Sequence, residues 1–295
     1  MSILELSAYQ FASPRHLDEA CRLLSELASQ GIKAIPIAGC TDWMVERHAT
    51  ALTGASGTAI DVTRIPELRG IRQRDGVISV GAAETFQAIR RDPTIARHCP
   101  MMAEASASVG APAIQARGTL GGNLVTGSPA ADGVVALFAL DAQVVLASEK
   151  GERNVPVRQF YTGYRASVRK SDELVVRFTW QVPAAGSIQR WRKVGTRSAQ
   201  AISKAAVAMV AELDGGVIQR VGLAAGSVAP SVRALYAAMK LLKGCRVAQV
   251  DLADVERAVD GDIEPIDDLR STARYRRHVV RTLVRRFVEE IAVKK

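Results

Sequence analysis

The stretch AGCTD at residues 38–42 directly follows a short β-rich run at residues 33–38. A second glycine motif, TLGGN at residues 119–123, continues into SPAAD at residues 128–132. Small residues at the end of a strand leave backbone N–H groups open to approach, and successive amides in a tight turn bind anions. Either motif alone is typical of a simple turn. Together, in this order, the two predict a pyrophosphate-binding site.

Polar side chains in the two motifs extend this prediction. Thr41 and Thr119 offer hydroxyl donors, and Asn123 can brace the turn or donate to a phosphate oxygen. Neither motif carries lysine or arginine at its tip, so we expect binding to rest on oriented backbone dipoles. Asp132 is too acidic to face phosphate and is better suited to accepting hydrogen bonds from sugar hydroxyls.

Short strands and helices surround these motifs in the N-terminal part. Ser13-Pro14 predicts a helix start and Gly31 its end. The stretch from Gly110 to Asp132, rich in glycine, proline and small residues, predicts a functional loop system. The predicted strands span residues 59–62, 77–82, 143–147 and 173–182, and the predicted helices span 85–91 and 94–106.

The pattern changes after the stretch PAAGS at residues 183–187, which is typical of a linker. Beyond it we predict a strand, a hairpin turning at Asp214-Gly215-Gly216, and three helices. The strands span residues 188–194, 205–213 and 217–225; the helices begin at Pro230 and span 252–259 and 273–293. The whole chain is therefore predicted to be α+β, in two pieces.

The composition is that of an ordinary globular protein, with 295 residues of which 48% are hydrophobic and 23% charged. No run of 18 uncharged apolar residues occurs, so no membrane span is predicted. The N-terminal residues lack a basic region followed by an apolar stretch, so we expect no export signal and a cytoplasmic protein. The four cysteines (Cys21, Cys40, Cys99 and Cys245) form no C-x-x-C motif. They predict reduced thiols and no metal or iron–sulfur site in this chain.

The net charge is +9, and basic residues crowd the C-terminus. They are Arg270, Arg274, Arg276, Arg277, Arg281, Arg285, Arg286, Lys294 and Lys295. A solvated helix face is the favoured interpretation, ahead of a docking surface for a partner. A basic nucleic-acid-binding protein is an alternative, but it leaves both glycine motifs unexplained.

Familiar catalytic and nucleotide-binding motifs are missing. The chain has no G-x-G-x-x-G opening a helix, no G-x-x-x-x-G-K-[ST], no H-E-x-x-H and no G-x-S-x-G. Its four histidines stand singly. The sequence therefore predicts neither a Rossmann nor a P-loop domain, and no catalytic residue.

At the two motifs the chain resembles the FAD-binding subunits of the xanthine dehydrogenase and carbon monoxide dehydrogenase family. That family shows A-G-[GN]-T-[DE] after an early strand, then T-[IL]-G-G-N and S-P-x-x-D. Here these read AGCTD, TLGGN and SPAAD. WRKVGTRSAQAIS at residues 191–203 looks like the family's entry to its C-terminal domain, and DLRSTARYRRHV at 268–279 like its terminal helix.

The resemblance implies an α+β fold with a p-cresol-methylhydroxylase-type FAD-binding domain at residues 1–182, in subdomains of about 1–57 and 58–182. A smaller α+β C-terminal domain would follow at residues 188–295. FAD would bind this chain, while 2Fe–2S clusters and molybdopterin would belong to two partner subunits. The cofactor-binding residues implied are Ile37, Ala38, Gly39, Cys40, Thr41, Asp42, Trp43, Val109, Thr119, Gly121, Gly122, Asn123, Asp132, Leu174 and Lys193.

Three points within this resemblance depend on individual residues. Cys40 stands where glycine is commonest, and its Cβ would crowd the pyrophosphate if the residue adopts a positive φ. Lys193, if near the flavin ring, would stabilise anionic reduced flavin, and Trp191 either approaches the ring or lies in the core. Asp132 would hold the ribitol. A free-standing flavoprotein oxidase or reductase of the same fold is the alternative function, and it requires an acid–base residue near the ring.

Overall fold

The computed structural model describes residues 9–50, 56–197 and 199–293, except for the side chains of residues 48–50. Lys294, Lys295 and Ser198, which belong to stretches discussed above, lie outside the described residues, as do the N-terminal residues that bear on an export signal. The described chain forms sheets of three, five and four strands and one two-stranded sheet. Among the described residues, no helix is long and apolar enough to cross a bilayer.

The first unit has a parallel three-stranded sheet in the order β1-β3-β2, with two helices. Its elements are β1 (Tyr9–Ala12), α1 (Leu17–Ser29), β2 (Ala34–Ile37), α2 (Thr41–Thr50) and β3 (Gly57–Asp61). The predicted helix start at Ser13-Pro14 is wrong: α1 begins at Leu17 with His16 as its N-cap. Asp18 and its acidic neighbour then lie in the first turn, where negative charge stabilises a helix. Gly31 follows α1 with a φ of +68°, as predicted.

The second unit has an antiparallel five-stranded sheet in the order β4-β5-β10-β6-β7, a β8–β9 hairpin and six helices. The strands are β4 (Ile71–Arg74), β5 (Val77–Gly81), β6 (Gln143–Ser148), β7 (Gly151–Pro156), β8 (Tyr161–Gly163), β9 (Ala166–Ser167) and β10 (Leu174–Gln181). The helices are α3 (Phe86–Arg91), α4 (Pro93–His98), α5 (Pro100–Ala107), α6 (Pro112–Gln115), α7 (Leu120–Thr126) and α8 (Asp132–Ala139). Because β3 pairs with both β1 and β2, we place the boundary between the first two units after Asp61 rather than near residue 57.

Two predictions in this unit are wrong. The helix predicted over residues 94–106 is two helices, because Pro100 has no amide to continue α4 and instead starts α5. The region from Gly110 to Asp132 is not a loop system, since it contains α6, α7 and the start of α8. The second glycine motif therefore opens a short helix, with Thr119 as its N-cap.

The third unit has an antiparallel four-stranded sheet in the order β11-β12-β13-β14. Its elements are β11 (Ile188–Val194), β12 (Ala205–Asp214), β13 (Val217–Gly226), β14 (Arg233–Ala234), α9 (Tyr236–Leu242), α10 (Leu252–Asp262) and α11 (Ala273–Val293). The predicted hairpin turn and last helix are confirmed. The helix start at Pro230 is wrong, because the following residues pair with β13 as β14 before α9 begins.

Buried contacts join the second unit to each of the other two. Gly222 on β13 lies so close to α8 that a Cβ there would be 1.9 Å from the Ala139 carbonyl oxygen. α8, whose eight residues are all buried, thus joins the second unit to the C-terminal sheet. A smaller apolar cluster joins Leu24 of α1 and Ile60 of β3 to Leu174 of β10.

Candidate functional site

A cleft of about 1650 Å³ runs between the two glycine motifs and reaches the C-terminal sheet. Its volume exceeds the roughly 300–1,000 Å³ of most small-molecule sites, which suits an extended ligand. All fifteen residues predicted to bind a cofactor line this cleft. The structure thus brings together every one of them.

The first motif contacts residues that flank the second motif. A Cβ on Gly39 would lie 2.0 Å from the Arg117 carbonyl oxygen, so only glycine allows this approach. The Arg117 Nε donates to the Gly39 carbonyl at 3.2 Å, and Thr126 Oγ1 donates to Asp42 Oδ2 at 3.3 Å. The two motifs, which are about eighty residues apart in the sequence, therefore form one continuous wall of the cleft.

The first motif opens α2 with unpaired amides. Cys40 has a φ of +60°, and its carbonyl accepts the first helical hydrogen bond, from the Met44 amide at 3.0 Å. The amides of Thr41, Asp42 and Trp43 donate to no acceptor in the described part of the chain, as is usual for the first turn of a helix. These amides lie in the cleft wall, where the helix N-terminus favours an anion.

The second motif is not the open anion-binding turn that we predicted. Its amides are already used: Gly121 N donates to Ala82 O at 2.9 Å and Gly122 N to Thr119 Oγ1 at 3.1 Å. Asn123 N donates to Thr119 O at 3.0 Å. A Cβ on Gly121 would lie 2.7 Å from Ala82 O. These glycines therefore allow α7 to pack against the end of β5, and the motif offers a ligand its side chains rather than its amides.

Cys40 has Arg117 as a basic neighbour in the folded chain. Burial raises the pKa of the Cys40 thiol, and the positive charge of Arg117 offsets only part of that rise. The Cys40 Sγ lies 3.5 Å from the Ala38 carbonyl oxygen. The thiol therefore stays protonated near neutral pH, which gives it no redox activation.

A buried ion pair lies in the same cleft. Lys193 Nζ donates to Asp132 Oδ2 at 2.5 Å and to the Ser108 carbonyl at 2.9 Å. Burial raises the pKa of Asp132 to about 6, although Lys193 acts against this rise. The other carboxylate oxygen, Asp132 Oδ1, is buried without a hydrogen-bond partner among the described residues. That oxygen is suited to accept a hydrogen bond from a ligand hydroxyl.

The ion pair changes the role expected of Lys193. Its ammonium charge is balanced by Asp132, so it is not a free cation for a flavin ring. Trp191, two residues earlier on the same strand, is 5% exposed and packs in the main core rather than lining the cleft. Of the two roles considered for Trp191, the core role is the one observed.

The basic C-terminal helix is not simply a solvated face. Arg276 is 3% exposed and donates to the carbonyls of Lys204 and Ser227 at 2.9 and 2.8 Å. It also donates to Asp268 Oδ1 at 2.6 Å, and Asp260 lies within ion-pair distance of two further arginines. Burial and paired charge, not solvation, thus explain a good part of this basic cluster.

Sequence reasoning missed several cleft residues because no local motif marks them. They include Arg169, Glu173, Ser203, Ser227 and Arg276. Ser203 and Arg276 lie in the stretches 191–203 and 268–279. These stretches supported the family resemblance of the C-terminal domain but did not predict cleft residues. Among the described residues there is no cluster of metal-binding side chains, and all four cysteines are free.

Comparison with known proteins assigns this chain to a family. Residues 7–184 match the model described as the FAD binding domain in molybdopterin dehydrogenase, and residues 190–291 match the CO dehydrogenase flavoprotein C-terminal domain. The nicotinate dehydrogenase FAD-subunit of Eubacterium barkeri is 34% identical over 209 residues, which are 70% of this chain and 69% of that protein. The carbon monoxide dehydrogenase medium chain of Hydrogenophaga pseudoflava is 26% identical and covers 94% of this chain and 95% of its own length.

Solved structures agree in fold. A carbon monoxide dehydrogenase chain from Hydrogenophaga pseudoflava has a TM-score of 0.87 at 28% identity, covering 94% of this chain and 95% of its own. A chain of reconstituted CO dehydrogenase from Oligotropha carboxidovorans has a TM-score of 0.89 at 25% identity, covering 97% and 98%. The predicted fold class, an α+β FAD-binding fold followed by a C-terminal domain, is thereby confirmed. This chain belongs to the family of FAD-binding subunits of molybdenum hydroxylases and is an oxidoreductase subunit.

Proposed function

We propose that this chain is the electron-transfer subunit of a cytoplasmic molybdenum hydroxylase complex. It would take electrons from the 2Fe–2S clusters of one partner subunit, while a second partner with the molybdenum cofactor acts on the substrate. The electrons would leave to an external acceptor. The names of the relatives, which are FAD subunits and medium chains of dehydrogenases, support this division of labour.

One observation carries the proposal: the first amides of α2 and a carboxylate oxygen of Asp132, which have no hydrogen-bond partner in the part of the chain that the structure describes, line the same cleft. The amides of Thr41, Asp42 and Trp43 would hold the diphosphate of FAD. Asp132 Oδ1 would accept a hydrogen bond from a ribityl hydroxyl. A dinucleotide cofactor that has both an anionic and a polyhydroxyl part satisfies both ends of this cleft.

Several residues act on the cofactor by position rather than by chemistry. Lys193 keeps Asp132 ionised and oriented, because it counteracts the effect of burial on the carboxyl pKa. Val109 and Leu174 supply apolar wall. FAD, when bound, supplies the one- and two-electron redox chemistry, and the chain sets its place and exposure.

A free-standing flavoprotein oxidase has less support, because it needs an acid–base residue in the cleft. The two buried carboxylates there, Asp132 and Glu173, are paired with Lys193 and Arg153. The nucleic-acid alternative is weakened, because Arg276 of the basic cluster is buried and Arg277, Arg281 and Arg285 pair with carboxylates. The nucleic-acid alternative also leaves Asp132 Oδ1, which has no partner among the described residues, unexplained.

The test is a titration of the purified full chain with FAD, followed by absorbance and fluorescence. We expect the wild type to bind FAD and Asp132→Asn to weaken binding by roughly tenfold, the value of one charged hydrogen bond. The control is Asp141→Asn, because Asp141 forms an ion pair with Arg158 at 3.0 Å away from the cleft. Equal affinity of both variants would contradict the assignment of the site.

The electron-transfer role needs a second measurement. Capture of the tagged chain from its native lysate should bring down iron, acid-labile sulfide and molybdenum in fixed ratio to flavin. Flavin without these metals, together with substrate oxidation by the chain alone, would instead support the free-standing oxidase.

A further inference from the structure

Arg169 lies between β9 and β10, and its side chain lines the cleft. Its Nη1 donates to the carbonyls of Lys170 and Glu173 at 3.1 and 2.7 Å. Its Nε and Nη2 donate to no acceptor among the described residues, and no carboxylate of the described chain lies within ion-pair distance. Arg169 is thus a half-buried cation with spare donors in the wall of the cleft.

The nearby carboxylate of Glu173 is not available to neutralise Arg169. Arg153 holds it with two hydrogen bonds, Nε to Oε1 at 2.6 Å and Nη2 to Oε2 at 2.8 Å, and the Lys170 amide donates to Oε2 at 2.8 Å. The bond from Arg153 keeps the pKa of Glu173 below its usual value, so the carboxylate is ionised. Arg153 therefore holds the Glu173 carboxylate, which would otherwise pair with Arg169.

The segment that carries Arg169 is anchored on one side to α2 and on the other side to the first glycine motif. Before it, Arg165 Nη1 pairs with Glu46 Oε1 of α2 at 2.8 Å. After it, Leu174 belongs to the apolar cluster against which Ala38 packs. The two anchors hold this segment beside the element whose N-terminal amides are unpaired.

An uncompensated guanidinium in a partly buried place is unfavourable until an anion reaches it. Burial lowers the pKa of Arg169, against the pull of Glu173 and Asp172. A guanidinium with free Nε and Nη2 donors presents the geometry that binds a phosphoryl group through two hydrogen bonds.

We propose that Arg169 is a binding residue for the diphosphate of FAD, supplying the cation that neither glycine motif contains. This inference rests on the proposed function and adds to it a named charge contact. Arg153 is then a positioning residue, since by occupying Glu173 it keeps the Arg169 guanidinium free.

The test compares the full-length wild type with Arg169→Gln and Arg169→Lys. Glutamine keeps a donor for the turn carbonyls but removes the charge. Calorimetry with FAD, ADP, adenosine and riboflavin separates the diphosphate from the rest of the cofactor. We expect Arg169→Gln to weaken FAD and ADP by roughly ten- to hundredfold, and adenosine and riboflavin by less than about twofold. Arg169→Lys should recover part of the loss, and the salt dependence of ADP binding should be smaller in Arg169→Gln.

Two further variants guard against a purely structural effect. Arg177→Met removes an arginine that pairs with Glu152 through two hydrogen bonds on the same sheet but does not line the cleft, so it should bind FAD like the wild type. Arg153→Met should weaken FAD binding although Arg153 does not line the cleft, because Glu173 is then free to pair with Arg169.

The outcomes separate this inference from the function on which it rests. If Arg169→Gln is folded and binds both FAD and ADP like the wild type, the inference is overturned while the proposed function stands. If the wild type binds neither FAD nor ADP, the proposed function fails first. If Arg169→Gln does not fold, unchanged ADP binding by Arg169→Lys and Arg153→Met would still overturn the inference.

Discussion

The buried carboxylate Asp132 should make the stability of the cofactor-free protein depend on pH. Asp132 is 5% exposed, and burial raises its pKa from an ordinary 3.8 to about 6. Between these two values the folded protein keeps a proton that the unfolded chain has released. The free energy of unfolding contributed by this group therefore falls as pH rises from about 4 to about 6, and is level above that. The pKa of Asp132 differs by about 2 units between the folded and unfolded chain, and each unit corresponds to about 1.4 kcal/mol. The free energy of unfolding therefore falls by about 3 kcal/mol in total.

The assay is urea unfolding of the wild type and Asp132→Asn at a series of pH values from 4 to 8. Asparagine has nearly the same shape but does not titrate. In the variant, Lys193 keeps its hydrogen bond to the Ser108 carbonyl. Other groups contribute equally to both proteins, so the difference between the two curves isolates Asp132. We expect the wild type to lose about 3 kcal/mol relative to the variant across the window.

Saturating FAD gives this experiment a second arm. A ribityl hydroxyl donating to Asp132 Oδ1 would favour the ionised carboxylate and lower its pKa, so the fall in stability should move to lower pH. Parallel curves for the two proteins without FAD would refute the description of Asp132 as a buried, proton-retaining group. If FAD does not shift the pH range over which the stability falls, Asp132 does not contact the cofactor.

Four other substitutions test the backbone and the buried charge. Gly39→Ala, whose Cβ would lie 2.0 Å from the Arg117 carbonyl oxygen, should lose about 1–3 kcal/mol in urea unfolding and weaken FAD binding. Gly261→Ala, with no atom within 4 Å, should gain up to about 1 kcal/mol, and equal effects would contradict this contrast. Cys40→Gly should raise stability by roughly 0.5–1 kcal/mol, because relief at a φ of +60° exceeds the added entropy of the unfolded chain; a drop in thermal midpoint would argue against strain there. Arg276→Met, at a 3%-exposed site, should cost about 3–5 kcal/mol, and an unshifted urea midpoint would show that its bonds do not stabilise the fold.

Local patterns were sufficient for much of the fold and for the membership of the site. The α/β alternation, the hairpin at residues 214–216 and the last helix follow from periodicity and turn residues, which act over a few neighbours. The fifteen residues that the family resemblance implies as cofactor-binding all line one cleft, and two short motifs carry most of them. The residues of a motif are adjacent in the chain, so the whole motif can be recognised from the sequence alone.

What the motifs do could not be identified in the same way. The second motif was predicted to offer its amides to a ligand, but Gly121 N is bonded to Ala82 O, about forty residues earlier. The helix start expected at Pro230 failed because β14 pairs with β13, a partner that the local pattern does not reveal. In both cases a long-range hydrogen bond decided the outcome.

The charges of the cleft show the same limit. Counting ionisable residues within the motifs suggested a diphosphate site without cations, yet Arg117 touches Gly39, and Arg169 lies in the same cleft. Two charged residues of the cleft leave part of their hydrogen-bonding capacity unused among the described residues: Asp132 Oδ1 accepts no hydrogen bond, and Arg169 Nε and Nη2 donate none. Because a buried polar atom is costly without a partner, such leftovers indicate where a ligand must supply the complement. In this cleft the unused atoms require a hydroxyl donor at Asp132 and an anion at Arg169. The glycines therefore shape the site, and these two charged residues select the ligand.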